Sequence, residues 1–230
     1  MQAGELARRH PLLTALALSL GAAISLGISR FSYALLLPPM RADLDWSYLL
    51  AGAMNTANAF GYFIGALATP ALMRRFSAQT ALVGGALLTG VFMLLSGFVT
   101  DADMLLLQRV LAGVASAFIF ISGGVLAARL GALHARQAGF LIGLYYGGTG
   151  FGITLSALLV PAALGAAATY GVPHAWQWVW LALGGVCFLM TLLMALPASH
   201  IDGAIAAPGT HGHFRPRAFG YGLAGYFMFG

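Results

Sequence analysis

The run "LLTALALSLGAAISLGISRFSYALLL", Leu12 to Leu37, decides the fold class of this chain. It is longer than the roughly 20 residues that a helix rising about 1.5 Å per residue needs to cross a hydrocarbon layer about 30 Å thick. It is also longer than the roughly 7 to 15 apolar residues of a signal-peptide core, and it contains Arg30. We therefore interpret it as the first membrane-spanning helix. The presence of a charged arginine within this apolar run has to be explained.

Five further apolar blocks follow the first one. Of the 230 residues, 60% are hydrophobic and 7% are charged, whereas about a quarter of the residues of an ordinary soluble domain are charged. The prolines fall at block edges or in the breaks, as expected if each block is a helix whose backbone is satisfied internally. The sequence predicts an all-α polytopic membrane protein with six transmembrane helices. They lie at about 12–37, 48–70, 78–99, 105–128, 139–160 and 176–196.

The arginines of the loops lie mainly on one side of these predicted helices. The opposite loops hold Arg41 beside two aspartates, two further aspartates, or no charge. By the positive-inside rule, the N-terminus and the 197–217 segment are cytoplasmic, in a membrane that we expect to be the bacterial inner membrane. The net charge of +5 therefore reflects topology, and no nucleic-acid partner is predicted. The arginines on the cytoplasmic side are Arg8, Arg9, Arg74, Arg75, Arg129, Arg136, Arg215 and Arg217.

The order of the segments predicts one half of a larger carrier. Residues 1–196 would form a six-helix bundle, residues 197–217 a cytoplasmic linker, and residues 218–230 the start of a seventh transmembrane helix that is too short to span. Carriers with twelve helices have two such halves, each built from two three-helix repeats of opposite topology. We expect that arrangement here, with the lipid bilayer and a missing C-terminal half as partners.

Few polar side chains lie within the predicted helices, and no Asp, Glu, Lys or His does. An arginine at the centre of a membrane helix costs about 2.5–3.5 kcal/mol, so Arg30 and Arg109 are candidates for function. Both lie toward the outer ends of their helices, which leaves open the alternative that they extend to the lipid headgroups. The candidate substrate-binding residues are Arg30, Tyr33, Asn58, Arg109 and Tyr145.

Small residues four apart predict where the helices approach one another. Gly61 and Gly65 in the second block, and Gly143 and Gly147 in the fifth, each form a GxxxG pair. Gly113 begins a similar pair with an alanine in the fourth block. Such residues let helix backbones come close where lipid gives no hydrophobic drive for association.

Neither a metal site, a cofactor nor an enzymatic activity is predicted. The 197–217 segment contains His200, His211 and His213, and the HxH pair at His211 and His213 has no Cys or acidic partner beside it, which makes it weak evidence for a metal site. An intramembrane hydrolase would need a nucleophile beside a base, and Ser116 and Ser122 lie in a predicted helix that contains no histidine.

Four motifs together resemble the major facilitator superfamily, and specifically its YbfB/YjiJ-like branch. They are "GISRFSYALLLPPM" in the first block, "NAFGYFIGAL" in the second, "LLLQRVLAGVASAF" in the fourth and "GLYYGGTGFGI" in the fifth. In that superfamily the first and fourth helices line the central cavity. The resemblance therefore implies that Arg30 and Arg109 face this cavity from the outer half of the membrane.

Two motifs of the superfamily are incomplete in this chain. The loop after the second helix usually contains an aspartate and a basic cluster, but here Thr69 replaces the aspartate and the basic cluster is reduced to Arg74 and Arg75. We assign these two arginines to gating on the strength of the resemblance. In the fifth helix, Gly148 replaces the proline that many exporters have, so coupling to a proton or another ion is left open.

The leading prediction is a secondary transporter that moves a small solute by alternating access. Fixed positive charge and amides, without a carboxylate, favour an anionic or polar substrate, because arginine binds carboxylate or phosphate through two parallel hydrogen bonds. An efflux substrate is equally compatible with the sequence. The alternative is a six-helix membrane scaffold, or a half-size protein that acts as a dimer.

Overall fold

The computed structural model describes residues 5–202, with side chains for 7–201. Within this range the regular structure is helical. The helices are α1 Glu5–Arg9, α2 Pro11–Ala22, a π-helical turn Ala23–Ile28, α3 Phe31–Asp43, α4 Tyr48–Arg75, α5 Ala78–Ser96, α6 Ala102–Leu133, a 3-10 turn Ala135–Gln137, α7 Ala138–Thr169 and α8 Ala175–Asp202. The predicted start of a seventh helix at 218–230 lies outside the described residues.

Five segments in the described range are long and apolar enough to cross a membrane, and they confirm five of the six predicted spans. They correspond to the first, third, fourth, fifth and sixth blocks. The second block forms α4, a helix of 28 residues. α4 is long enough to span but less apolar, because Asn55, Thr56 and Asn58 lie in its first half. That α4 crosses the membrane stays a prediction.

Several helices continue past the prolines at which the sequence analysis placed their ends. α3 contains Pro38 and Pro39, and Pro70, Pro161 and Pro197 lie inside α4, α7 and α8. A proline removes one backbone hydrogen bond and crowds the preceding turn, but near a helix end the few residues beyond it can still continue the helix. The predicted boundary between the bundle and the linker at 196/197 therefore falls inside α8, which continues to Asp202.

Side-chain caps fix the starts of the long helices. Ser47, Ser77 and Asp101 precede α4, α5 and α6, and each accepts a hydrogen bond from the backbone N–H three residues later. Such caps satisfy backbone donors that have no partner within the helix. α2 instead begins with Pro11, whose fixed backbone angle suits the first turn of a helix.

The first membrane segment, Pro11–Asp43, is not one continuous α-helix. The backbone N–H of Ser29 donates to the carbonyl of Ile24, five residues earlier, at 3.0 Å. The π-helical turn that this bond closes is followed by a short break at Ser29 and Arg30, and α3 begins at Phe31.

The helices pack against one another mainly in pairs. α4 packs along α6, α5 lies between α6 and α8, and the first membrane segment packs against α7. Trp176 and Trp180 of α8 are buried against this bundle. Large apolar side chains are exposed on the outer faces, such as Leu189, Leu192 and Leu196 on α8, as expected for a surface in contact with lipid.

Candidate functional site

Arg109 is buried where α6 meets the first membrane segment. Only 6% of its surface is exposed. Its Nη1 donates a hydrogen bond to the carbonyl oxygen of Ser29 at 3.2 Å, and its guanidinium lies 4.3 Å from the centre of the Tyr33 ring. The ring face attracts the cation, so Arg109 is held by one backbone acceptor and one aromatic ring.

The remaining donors of Arg109 have no partner among the described residues. Nε and Nη2 are buried without a hydrogen bond, and so is the hydroxyl of Ser29, the residue whose carbonyl accepts from Nη1. A buried charge is costly unless it is paired and its hydrogen bonds are made. Two neighbouring free N–H groups on one guanidinium match the two oxygens of a carboxylate or phosphate. The arrangement can therefore hold an anion.

Arg30 lies at the break between the π-helical turn and α3 and, unlike Arg109, is exposed. It directly follows Ser29, whose carbonyl accepts the hydrogen bond from Arg109, so the two positive charges lie in the same part of the fold and repel each other. An anion between them would relieve this repulsion, since opposite charges within a few ångströms attract strongly where water is excluded. The exposure is equally compatible with a side chain that reaches toward the headgroups.

Tyr33 and Asn58 belong to the same cluster as Arg109. The Tyr33 hydroxyl donates to the carbonyl of Ala51 at 3.1 Å, which ties α3 to α4. Nδ2 of Asn58 donates to the carbonyl of Arg109 at 3.1 Å, which ties α4 to α6. Both side chains are buried. Tyr33 contacts the guanidinium of Arg109, and Asn58 bonds to its backbone. Arg30 follows Ser29, whose carbonyl accepts from Arg109, so four of the five candidate binding residues are brought together.

Tyr145 lies apart from this cluster. It is fully buried on α7, and its hydroxyl donates to the carbonyl of Phe120 at 2.9 Å. Phe120 follows Arg109 by eleven residues on α6, a distance of about 16 Å along the helix axis. Tyr145 therefore packs between α6 and α7, with Gly123 against its ring. It does not lie beside the arginines.

The glycines of α4 lie against α6. A Cβ added to Gly61 would meet the carbonyl of Val110, and one added to Gly65 would meet that of Val114. From the other side, a Cβ on Gly113 would meet the carbonyl of Asn58. The two backbones are in contact at this crossing, which brings Asn58 to Arg109.

The second close crossing uses different glycines from those that the sequence suggested. Added Cβ atoms on Gly148 and Gly152 would meet the carbonyls of Ser19 and Ala23 in the first membrane segment. Gly143 and Gly147, the predicted packing pair, are exposed and have nothing within 4 Å of such an atom among the described residues. Gly143 and Gly147 therefore lie on a face of α7 that does not pack against the other described helices.

Arg74 and Arg75 lie in the last turn of α4 and are exposed. Arg75 lies 5.9 Å from the ring centre of Phe76. Thr69, at the position where the superfamily has an aspartate, is buried and donates its hydroxyl to the carbonyl of Gly65 at 2.7 Å. A threonine with this bond is neutral, so it cannot supply the charge that an aspartate would bring to a gate.

An acidic contact that the sequence did not suggest ties α3 to the start of α8. Oδ2 of Asp43 accepts hydrogen bonds from Nδ1 of His174 at 2.6 Å and from Nε1 of Trp176 at 2.5 Å. Asp43 is the last residue of α3 and His174 directly precedes α8, in regions that the charge pattern predicts to lie on the outer side. Sequence alone could not pair residues this far apart in the chain.

No group of three or more His, Cys, Asp or Glu side chains that could hold a metal ion occurs in the part of the chain that the structure describes. His200 lies in the last turns of α8. His211 and His213 lie outside the described residues.

Comparison with known proteins gives a consistent picture. A family model described as "Uncharacterised MFS-type transporter YbfB" matches residues 22–230. The Inner membrane transport protein YdhP of Escherichia coli, in strain K12 and in O157:H7, is 31% identical over 194 residues. This alignment covers 82% of this chain and 46% of YdhP. The chain thus spans about half the length of the curated relatives that it matches.

Proposed function

The chain belongs to the YbfB family of MFS-type transporters, and from this premise we propose that it forms one half of a secondary transporter for a small solute. Transporters with two such halves work by alternating access, in which one half rocks against the other around a site near the middle of the membrane. The second half, its contacts and the coupling ion are part of this proposal. The relatives' names point to transport rather than to catalysis.

The helix pairing supports two inverted three-helix repeats within this half. A two-fold relation would exchange the first and fourth, second and fifth, and third and sixth helices. The pairing of the first segment with α7 then corresponds to that of α6 with α4, and both pairings occur. Both crossings also use the same device. Gly61 and Gly65 lie against α6 near Gly113, and Gly148 and Gly152 lie against the first segment near Gly27.

The observation that carries the substrate class is the buried guanidinium of Arg109 with two donors free. Together with Arg30 it forms what we call the arginine site, supported by Tyr33 and Asn58. The described part of the membrane helices contributes no carboxylate to this site. We propose that the transported solute brings the missing negative charge, as a carboxylate or phosphate bound by arginine.

The open faces of this half fit a second half. α7 belongs to the least buried of the five spanning segments. In its most apolar stretch of 18 residues 22% are buried, against 67% in the corresponding stretch of the first segment. An apolar groove of about 700 Å³ also opens on α4, lined by residues that include Gly52, Thr56 and Phe60. We propose that helices of the second half pack on these faces, and that the N-terminus and the segment after α8 are cytoplasmic. A second copy of a half-size protein is the competing occupant.

Transport assays in proteoliposomes test the proposed function. The full-length protein is purified, reconstituted and assayed by counterflow with labelled monocarboxylates, dicarboxylates, sugar phosphates and organic cations. We expect transport of at least one anion class and none of the cations. Transport of cations alone would contradict the proposed substrate class, and no transport of any solute under an imposed ion gradient would contradict the transporter itself.

Substitution of Arg30 tests the role of the exposed arginine. Lysine keeps the charge but cannot form two parallel hydrogen bonds, so Arg30→Lys should lose anion transport nearly as far as Arg30→Ala. Arg41→Ala, which removes a positive charge outside the arginine site, is the matched control and should retain transport. Unchanged transport by Arg30→Ala would remove Arg30 from the site and favour the headgroup alternative.

A further inference from the structure

The π-helical turn Ala23–Ile28 releases a backbone carbonyl inside the membrane. In an α-helix the N–H of Ser29 would bond to the carbonyl of Ser25, but here it bonds to that of Ile24. The carbonyl of Ser25 therefore loses its α-helical donor. Hydrocarbon offers no water to replace it, so another group must donate if the turn is to keep this form.

Side chains of the neighbouring helices supply the donors. The Ser116 hydroxyl on α6 donates to the carbonyl of Ser25 at 2.9 Å, and the Ser25 hydroxyl donates back to the carbonyl of Ser116 at 2.9 Å. Further along, the Ser156 hydroxyl on α7 donates to the carbonyl of Gly27 at 3.3 Å. Every second carbonyl of this stretch, at 25, 27 and 29, thus receives a donor from another helix, the last from Arg109.

The backbones of the first segment and α7 are in contact at the turn. A Cβ added to Gly27 would lie 2.6 Å from the Cα of Gly152, and one added to Gly152 would lie 2.5 Å from the carbonyl of Ala23. The hydroxyl groups of Ser25, Ser116 and Ser156 are themselves buried. The turn is therefore fitted into its neighbours and is not a fraying end.

The turn sets the direction of the residues that follow it. Each residue of an α-helix adds about 100° of rotation, so one extra residue in a turn rotates everything downstream by about that angle. In the observed register, Tyr33 lies beneath Arg109, and Arg30 and Ala34 are exposed on one face. With an ordinary α-helical turn, Ser29 and Tyr33 would take the directions that Arg30 and Ala34 now have.

We infer that Ser116 and Ser156 are positioning residues for the arginine site, because their hydroxyl groups hold the π-helical turn in the register that aims Tyr33 at Arg109 and leaves Arg30 exposed. The importance of this register for transport rests on the proposed function. The register itself is a property of the fold and can be measured without a substrate.

The test is the pattern of cysteine labelling along the start of α3. The full-length protein, free of other cysteines including Cys187, is labelled in membrane vesicles with a membrane-impermeant thiol reagent. Single cysteines are introduced one at a time, and a cysteine at the fully buried Leu36 gives the background rate. The variants are Ser29→Cys, Arg30→Cys, Tyr33→Cys, Ala34→Cys and Leu36→Cys.

With both serines present, Arg30→Cys and Ala34→Cys should be labelled, while Tyr33→Cys should stay at the background rate. If neither is labelled, positions 30 and 34 do not face water, and the inferred register is wrong. In the Ser116→Ala/Ser156→Ala background, labelling should move to Ser29→Cys and Tyr33→Cys and be lost at position 30. Labelling that stays at positions 30 and 34 would overturn the inference and leave the proposed function intact.

Ser122→Ala is the matched control. This hydroxyl is also buried on α6, but it donates to the carbonyl of Phe118 in its own helix. The pattern should not move in this variant. If it moves as in the double variant, the loss of any buried hydroxyl has the same effect, and the inference fails.

Deletion of Leu26 gives a second, independent readout. Without Leu26, an ordinary α-helical turn would point the side chains that follow it in the directions now observed. Positions 30 and 34 should therefore be labelled whether or not the two serines are present. If the double alanine variant does not accumulate in the membrane, the deletion with both serines present decides. Labelling shifted to positions other than 30 and 34 would show that the extra residue does not set the register.

Discussion

The close approach of α7 to the first membrane segment predicts the effect of one added methyl group. A Cβ on Gly148 would meet the carbonyl oxygen of Ser19 and lie 2.7 Å from its carbonyl carbon. These are backbone atoms, which cannot rotate aside as a side chain could. Gly148→Ala must therefore push the two helices apart or distort one of them.

The magnitude follows from two opposing effects. Overpacking costs about 1–3 kcal/mol, and a clash with rigid backbone belongs at the upper end. Alanine is more favourable than glycine in a helix by about 1 kcal/mol. Gly148→Ala should therefore lower the free energy of unfolding by about 2 kcal/mol.

A glycine on α8 separates the two effects. Gly185 lies in the interior of α8 and is exposed, and a Cβ there would have nothing within 4 Å among the described residues. Gly185→Ala should gain up to about 1 kcal/mol from helix propensity alone. The difference between the two variants, about 3 kcal/mol, then isolates the packing cost.

The assay is equilibrium unfolding of the full-length protein in mixed micelles with increasing SDS, followed by tryptophan fluorescence. The two variants should move the midpoint in opposite directions. Equal stability of Gly148→Ala and Gly185→Ala would refute the assignment of Gly148 to the helix crossing.

Two further predictions concern contacts outside the arginine site. Tyr145→Phe removes the buried hydrogen bond to the carbonyl of Phe120 and should lower the free energy of unfolding by about 1–3 kcal/mol without changing which solutes are transported. A changed solute preference would place Tyr145 in the binding site after all. Asp43→Asn weakens the contact with His174 and Trp176, where the C-terminal end of α3 meets the N-terminal end of α8. Because Asp43 and His174 are partly exposed and asparagine keeps an oxygen that can accept from the buried Trp176, stability should fall by no more than about 1 kcal/mol, measured by the same unfolding assay. A loss of several kcal/mol would show that this contact is a main support of the fold.

The spans could be predicted from the sequence better than their ends. Apolar length is a property of a single segment, and five of the six predicted spans are confirmed. The helices continue past Pro70, Pro161 and Pro197, where the sequence placed the ends, because each proline removes one backbone hydrogen bond and neighbouring groups can satisfy the freed carbonyl. α4 is less apolar than the five spanning segments, and one of its two asparagines, Asn58, is buried and bonds to the backbone of Arg109, whereas Asn55 is exposed.

The candidate site depends on contacts between segments that no local pattern reveals. α7 has GxxxG pairs at 139/143, 143/147 and 148/152, and only the neighbouring helix selects Gly148 and Gly152. The π-helical turn has no sequence signature of its own. Its donors, Ser116 and Ser156, lie about 90 and 130 residues away and resemble ordinary small polar residues of membrane helices.

Anion counterflow by Arg109 variants in proteoliposomes tests the central claim most directly. Lysine at this position cannot donate to the carbonyl of Ser29 and also offer two parallel hydrogen bonds to an anion. Loss of a hydrogen bond to a charged group costs about 1.5–3 kcal/mol, so the transport efficiency of both Arg109→Lys and Arg109→Ala should fall by about 10- to 100-fold. Anion transport at the unsubstituted rate in Arg109→Ala, with the protein intact in the membrane, would contradict the account.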